Sequence, residues 1–245
     1  MPEGLFLTQI CVDWSRIERD TYLRGIPAVA SLTKLTFERP VTFFVGENGS
    51  GKSTLLEAMA VSFGFNPEGG SVNYRFSTFD SHSELHRAVR LVRGVTRPKY
   101  GYFLRAESFY NVATADEAYS RLPHGVPHRL HEMSHGESFL AVARENFCPE
   151  GIYFLDEPEA ALSPQGQMSL LLLIAEAARQ GAQFFIATHS PILLALPEAE
   201  ILSFDGGAVH PCAYEETGSY RILRMFVNDR AHILRRLFGE EAESE

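Results

Sequence analysis

Short continuous apolar runs recur along this chain at Val41–Val45, Ile152–Leu155, Phe184–Ala187 and Ile201–Phe204. Runs that do not alternate with polar residues suit strands buried on both faces, as in a parallel sheet covered by helices. Between them the spacing turns helical. Leu55, Leu56, Met59 and Ala60 mark a helix over Ser53–Phe63, a second starts at Ser163-Pro164 and stops at Gly181, and Ser190-Pro191 opens a third through Leu196. Serine at the N-cap followed by proline at the first helical position is a helix start, and glycine a helix stop. This alternation of strand and helix predicts an α/β fold with crossover helices. Two more strands are expected ahead of it, at Leu5–Val12 and Ser31–Phe37.

From about Pro67 to Pro149 the texture changes. Gly69-Gly70, strand-like pieces at Tyr74–Phe76 and Tyr102–Leu104, and helix candidates at Ala113–Arg121 and Ser138–Asn146 read as an insertion between the first and later strands. The expected organisation is one domain over residues 1–245 with an inserted α-helical subdomain at about 108–148. Near the end, Ile222, Met225, Phe226, Ile233, Leu234 and Leu237 predict one or two packing helices, and the acidic Glu240–Glu245 a frayed tail. There is no internal repeat and no heptad run long enough for a coiled coil.

Composition narrows the class. A hydrophobic fraction of 45% and a charged fraction of 22% are those of an ordinary globular protein. The formal net charge of −9 shows no general basic character that would announce nucleic-acid binding. Cys11, Cys148 and Cys212 are too scattered for a disulfide framework or a cysteine metal site, which fits a reducing cytoplasm. The first residues lack the pattern of a signal peptide, and Leu170–Ala178 is short and broken by Glu176. A cytoplasmic chain without direct membrane insertion is expected.

The chemistry sits at the ends of the apolar runs. Gly46-Glu47-Asn48-Gly49-Ser50-Gly51-Lys52-Ser53 fits G-x-x-x-x-G-K-[ST] in full, after a strand and before a helix. Glycines let backbone N–H groups turn inward around an anion, and the helix N-terminus adds positive potential. Lys52 is expected to reach the β- and γ-phosphates of ATP and Ser53 to ligate Mg²⁺, with Thr54 beside them. Asp156 and Glu157 end the strand Ile152–Leu155; Asp156 is placed to hold the Mg²⁺ shell and Glu157 to polarise the attacking water. His189 ends the next strand on the ligand side of such a sheet, within reach of the γ-phosphate or that water. Ser134-His135-Gly136-Glu137 is a capping box by its pattern, and its helix start can also offer Ser134 and its dipole to a phosphate on another subunit. Lys52, Glu157 and His189 are thus the catalytic candidates.

In this order the phosphate loop, the Ser-x-Gly helix start, Leu155-Asp156-Glu157-Pro158 and the strand-end His189 resemble the ABC-type ATPases over about residues 31 to 210. "FLDEPEAALSP" and "ATHSP" carry much of the likeness. Within that superfamily the loop looks most like the soluble branch of chromosome-maintenance, break-repair and anti-phage ATPases. The stretches Phe103–Phe109 and His131–Phe139 look like small stand-alone predicted ATPases of that kind. The resemblance implies a P-loop ABC fold, mostly parallel, with N-terminal antiparallel strands and a helical insertion bearing the signature. It further implies ATP hydrolysis and a head-to-tail homodimer around two Mg·ATP, with Ser134 and Gly136 closing in trans on the site of Lys52. The expected role is a switch in DNA maintenance or defence, with DNA or a protein effector as partner; the ATP-binding subunit of an ABC transporter is the alternative.

Three departures from the family pattern stand out. His135 replaces the first glycine of the signature. Glu107 falls where the Q-loop carries glutamine, so it is a metal-ligand candidate. Ser163 stands where transporter subunits usually have aspartate, at the end of the expected interface-crossing turn Ala160–Ser163. Tyr22 and Arg24 are the adenine-stacking candidates.

Overall fold

The computed structural model describes residues 4–71, 83–105 and 135–239. The strand piece Tyr74–Phe76, the helix Ala113–Arg121, Glu107, Ser134 and the tail Glu240–Glu245 lie outside the described residues.

The continuous apolar runs form the centre of a seven-stranded sheet. In chain order its strands are β3 (Val41–Val45), β4 (Gly70–Ser71), β6 (Tyr100–Arg105), β7 (Gly151–Asp156), β8 (Gln183–Ala187), β9 (Glu200–Ser203) and β10 (His210–Pro211), in the spatial order β10-β9-β3-β8-β7-β6-β4. The five central strands run parallel, and the short edge strands β4 and β10 are antiparallel. Successive residues of β3, β7 and β8 point to opposite faces and both faces are covered. Phe44, Phe154 and Phe185 pack on one side, Phe43, Tyr153 and Phe184 on the other, all fully buried. Burial on both faces is why these runs do not alternate.

The N-terminal strands make a separate antiparallel sheet, with β1 (Leu7–Val12) between β2 (Lys34–Thr36) and β5 (Val89–Arg93). β1 and β2 fall inside the expected spans; β5 was not foreseen, although Val89 and Leu91 alternate with Arg90 and Val92. A buried Gln183 links the two sheets. Its Oε1 accepts from Phe6 N and Leu7 N at 2.9 Å each, and its Nε2 donates to Leu7 O at 2.8 Å. These bonds satisfy buried main-chain groups that no strand partner reaches.

The helices that place the site are α1 (Pro27–Ala30), α2 (Lys52–Phe63), α3 (His135–Asn146), α4 (Pro164–Arg179) and α5 (Pro191–Leu194). As predicted, Ser163 caps α4, its Oγ accepting from Gly166 N, and Ser190 caps α5, accepting from Ile192 N and Leu193 N. α2 and β1 cover one face of the main sheet; α3 and α4 cover the other.

The expectation for the C-terminal apolar residues is corrected. α6 (Gly218–Asn228) and α7 (Arg230–Phe238) form, but Ile222 and Leu237 are 65% and 70% exposed, Met225 and Phe226 are also exposed, and Ile233 and Leu234 are only half-buried. α6 packs on the turn Tyr214–Glu216 and α7 packs on α6, and the residues of neither helix belong to either core cluster. Among the described residues no helix is long and apolar enough to cross a membrane.

Candidate functional site

The chemical candidates in the described residues, except Gly136 and the stacking candidates Tyr22 and Arg24, gather at the C-terminal ends of β3, β7 and β8. In open parallel sheets that edge is where ligands bind. The loop after β3 turns on three glycines with positive φ, Gly46 (142°), Gly49 (80°) and Gly51 (100°). Gly51 is also pressed against the N-terminal segment: a Cβ there would lie 2.3 Å from Val29 Cγ2 and 2.9 Å from Ile26 Cγ2. The local fold therefore demands glycine twice over, by conformation and by space. Asp205, beyond β9, ties the loop from the side, accepting from Glu47 N at 2.9 Å.

Lys52 is buried at the start of α2. Its Nζ donates to Gly46 O at 2.7 Å and Glu47 O at 2.9 Å, which leaves one of its three N–H groups to meet a phosphate. Burial pushes the Lys52 ammonium below its ordinary pKa, and the carboxylates of Glu157, Asp205, Asp156 and Glu159 oppose that shift. An anionic ligand would add to the second effect.

Ser53 Oγ donates to Asp156 Oδ1 at 2.7 Å. These are hard oxygen donors, one from a loop hydroxyl and one from a strand-end carboxylate, and they suit Mg²⁺ held by few protein ligands plus phosphates. No cluster of three His, Cys, Asp or Glu side chains that could hold a metal ion exists among the described residues. The register of β6 against β7 sets Arg105 beside Asp156, with Nε 4.0 Å from Asp156 Oδ2. Arg105 Nη1 donates to Glu57 Oε2 on α2 at 2.6 Å. Sequence reasoning passed over Arg105, Glu57 and Asp205, because nothing local to them marks a site; only the register and the sheet order bring them to it.

Glu157 adopts a left-handed conformation (φ 48°, ψ 50°), unusual for a residue other than glycine. Its N–H still bonds Ala187 O at 2.9 Å, so the chain leaves the sheet one residue after Asp156 and the Glu157 side chain turns toward the loop. His189 Nε2 lies 4.0 Å from Glu157 Oε1 and is buried without a hydrogen-bond partner. Asn48, Gly49, Gly51, Lys52, Ser53, Thr54, Glu157 and His189 line one cleft of about 480 Å³, together with Ile26. The remaining loop residues act from behind: Gly46 and Glu47 through their carbonyls, and Ser50 with an Oγ that is buried and unpartnered. A buried loop hydroxyl and a buried imidazole nitrogen, both unsatisfied, fit a site built for a phosphate.

Gly136, in the first turn of α3, stands apart from this cleft. A Cβ on it would lie 3.0 Å from Ala161 O, so the helix start packs on the short turn Pro158–Ala161. Ser134 and Glu107, the other two candidates, are outside the described residues. The stacking candidates do not line the cleft either. Arg24 sits over the Trp14 ring at 5.0 Å and Tyr22 faces outward; Ile26 takes the place beside the loop.

Two family models match: one described as "AAA domain, putative AbiEii toxin, Type IV TA system" over residues 123–195, and one described as "AAA domain" over residues 22–105. The cobalt import ATP-binding protein CbiO of Salmonella typhimurium is 28% identical over 200 residues, covering 72% of this chain and 69% of that protein. The phosphate import ATP-binding protein PstB 1 of Streptococcus agalactiae is 30% identical over 153 residues, covering 52% and 61%. Among solved structures, the SMC head domain from Thermotoga maritima aligns with a TM-score of 0.47 at 16% identity, over 85% of this chain and all of that one.

Proposed function

We propose that this chain, an ATP-hydrolysing P-loop ATPase of the ABC type, works as a switch in which two copies close head-to-tail around two Mg·ATP. The observation that carries the reading is the composition of the cleft. Lys52, Ser53, Glu157 and His189 line it, and Gly136 of the same chain does not. The signature-like helix start therefore has to come from a second copy if it is to meet the γ-phosphate.

In this reading the loop amides and the free N–H of Lys52 bind the β- and γ-phosphates. Ser53 and Asp156 hold Mg²⁺, with Glu107 as the further candidate; the ion supplies charge neutralisation at the phosphate oxygens. Glu157 accepts a proton from the water that attacks the γ-phosphorus, the β–γ bond breaks, and ADP and phosphate leave. His189 Nε2, which has no hydrogen-bond partner among the described residues, donates to a γ-phosphate oxygen. Ser134 and Gly136 of the second copy complete the donor set, and the turn Ala160–Ser163 lies along the join.

The work that closure drives is proposed to be DNA maintenance or defence, a reading supported by the toxin-system description of the family model over residues 123–195. ATP turnover measured with and without double-stranded DNA tests it. Stimulation that fades as salt rises supports contact with the phosphate backbone. No response to DNA at low salt counts against a DNA role. A second reading has its own support: CbiO and PstB 1, two of the curated relatives, are import ATP-binding proteins. Co-purification with a polytopic membrane protein would establish that alternative instead.

A further inference from the structure

We propose that Glu159 is a positioning residue of the ATPase reaction: its carboxylate fixes the main chain at His189 and so sets where the imidazole points. Glu159 Oε1 accepts from His189 N at 2.6 Å. A bond from an amide to a charged carboxylate is roughly twice as strong as a neutral one. It acts where the strand ladder has run out. Thr188 N still reaches Phe44 O at 3.2 Å, but the next amide, that of His189, bonds the Glu159 side chain and not a neighbouring strand.

The residue after His189 is tied from the same direction. Ser190 Oγ donates to Gln167 Oε1 at 2.6 Å while accepting from the first amides of α5. Glu159 and Gln167 both belong to the segment that follows Glu157, so the pieces bearing Glu157 and His189 are locked to each other. Glu159 is itself held in the turn Pro158–Ala161, behind the buried Pro158. At its far end that turn meets the start of α3, where Gly136 packs on Ala161 O.

The second carboxylate oxygen argues for more than structural filling. Among the described residues Glu159 Oε2 is buried without a hydrogen-bond partner, so the carboxylate gives up contact with water to serve one amide. A neutral acceptor would hold a loop at smaller cost. The expense is intelligible if the direction of the neighbouring imidazole matters to the chemistry.

The inference rests on the reading of His189 as a γ-phosphate contact, and the test separates the two. Turnover at saturating Mg·ATP and ATP affinity are measured for E159A, E159Q, H189A and both double variants. E159A should lower kcat by about tenfold to a hundredfold with affinity within about threefold, the size of one hydrogen bond to a charged group acting on the rate. E159Q, whose amide oxygen can still accept from His189 N, should recover much of that loss. Neither change should lower kcat by more than about twofold in the H189A background, since there is no imidazole left to aim. If E159A fails to fold, E159M, which fills similar space without an oxygen acceptor, and its H189A double variant carry the same comparison. Wild-type turnover in E159A and E159Q, or a loss that persists undiminished in H189A, overturns the role of Glu159. Wild-type turnover in H189A overturns the His189 reading beneath it.

Discussion

Ser53 Oγ donates to Asp156 Oδ1 at 2.7 Å, joining the first turn of α2 to the end of β7 across 103 residues of chain. The contact ties the phosphate loop to the strand-end carboxylates and makes one site of two motifs. It also gives a metal-specific prediction. Ser53→Ala and Asp156→Asn should each weaken Mg·ATP binding by about tenfold or more, while metal-free ATP loses much less, because the loop amides and Lys52 are untouched. Calorimetric titration with ATP in excess Mg²⁺ and in chelator checks this; equal losses in both conditions would remove Mg²⁺ from the pair.

The loop's glycines are not equivalent. Gly51 combines φ 100° with a Cβ position 2.3 Å from Val29 Cγ2, whereas nothing lies within 4 Å of the corresponding position on Gly49. Gly51→Ala should cost about 2 kcal/mol or more through strain and displacement of α1. Gly49→Ala should cost about 1 kcal/mol, from conformation alone. Urea denaturation of the two variants gives the comparison, and equal losses would contradict the packing of α1 on the loop.

Arg105 and Glu57 form a largely buried pair at 2.6 Å, with side chains 22% and 10% exposed. Glu57 Oε1 also accepts from Ser83 N, so its charge is fixed in place. Arg105→Met should strand that carboxylate and destabilise the fold by about 3 kcal/mol, while the double change Arg105→Met with Glu57→Met should recover much of the loss. A double-mutant cycle in denaturant measures it; additive losses would show that the two charges do not depend on each other.

Burial raises the Glu200 carboxyl above its ordinary value of 4.5, against the hydrogen bond from Thr42 Oγ1. The folded chain therefore keeps a proton that the unfolded chain has lost. Its contribution is fully present below pH 4.5 and is lost as pH rises through the folded value. Glu200→Gln should thus stabilise the protein at neutral pH and flatten that part of the stability curve. Thermal melts between pH 4 and 8 test the sign, and lower stability of the variant at pH 7 would refute it.

The parts of this fold that could be read from sequence are those where one physical demand fills a whole segment. Two-sided burial made β3, β7, β8 and β9 continuous apolar runs, and the conformational needs of a phosphate loop fixed three glycines at set spacing. Ser163-Pro164 and Ser190-Pro191 announced two helices because a cap is local. The rest depends on distant parts of the chain. Gln183 looks like an ordinary strand-end polar residue until β1 arrives with unpaired main-chain groups. Asp205 and Arg105 reach the site only through strand order and register. Glu159, two residues after Glu157, was legible as a residue and illegible as a tie to His189. For α6 and α7, spacing reveals an apolar face and not where that face lies, so Ile222 and Leu237 were expected to pack and stand largely exposed.

In the proposed mechanism Glu157 turns over ATP inside a pair of chains that ATP itself has closed. Glu157→Gln keeps the side chain's size and removes the proton acceptor, so ATP should bind and persist. Size-exclusion chromatography with light scattering, run with and without Mg·ATP, measures this directly. A dimer of E157Q should appear with Mg·ATP and be lost when Lys52 is also changed to Ala. An E157Q variant that hydrolyses ATP at the wild-type rate, or stays monomeric with Mg·ATP saturating, would contradict it.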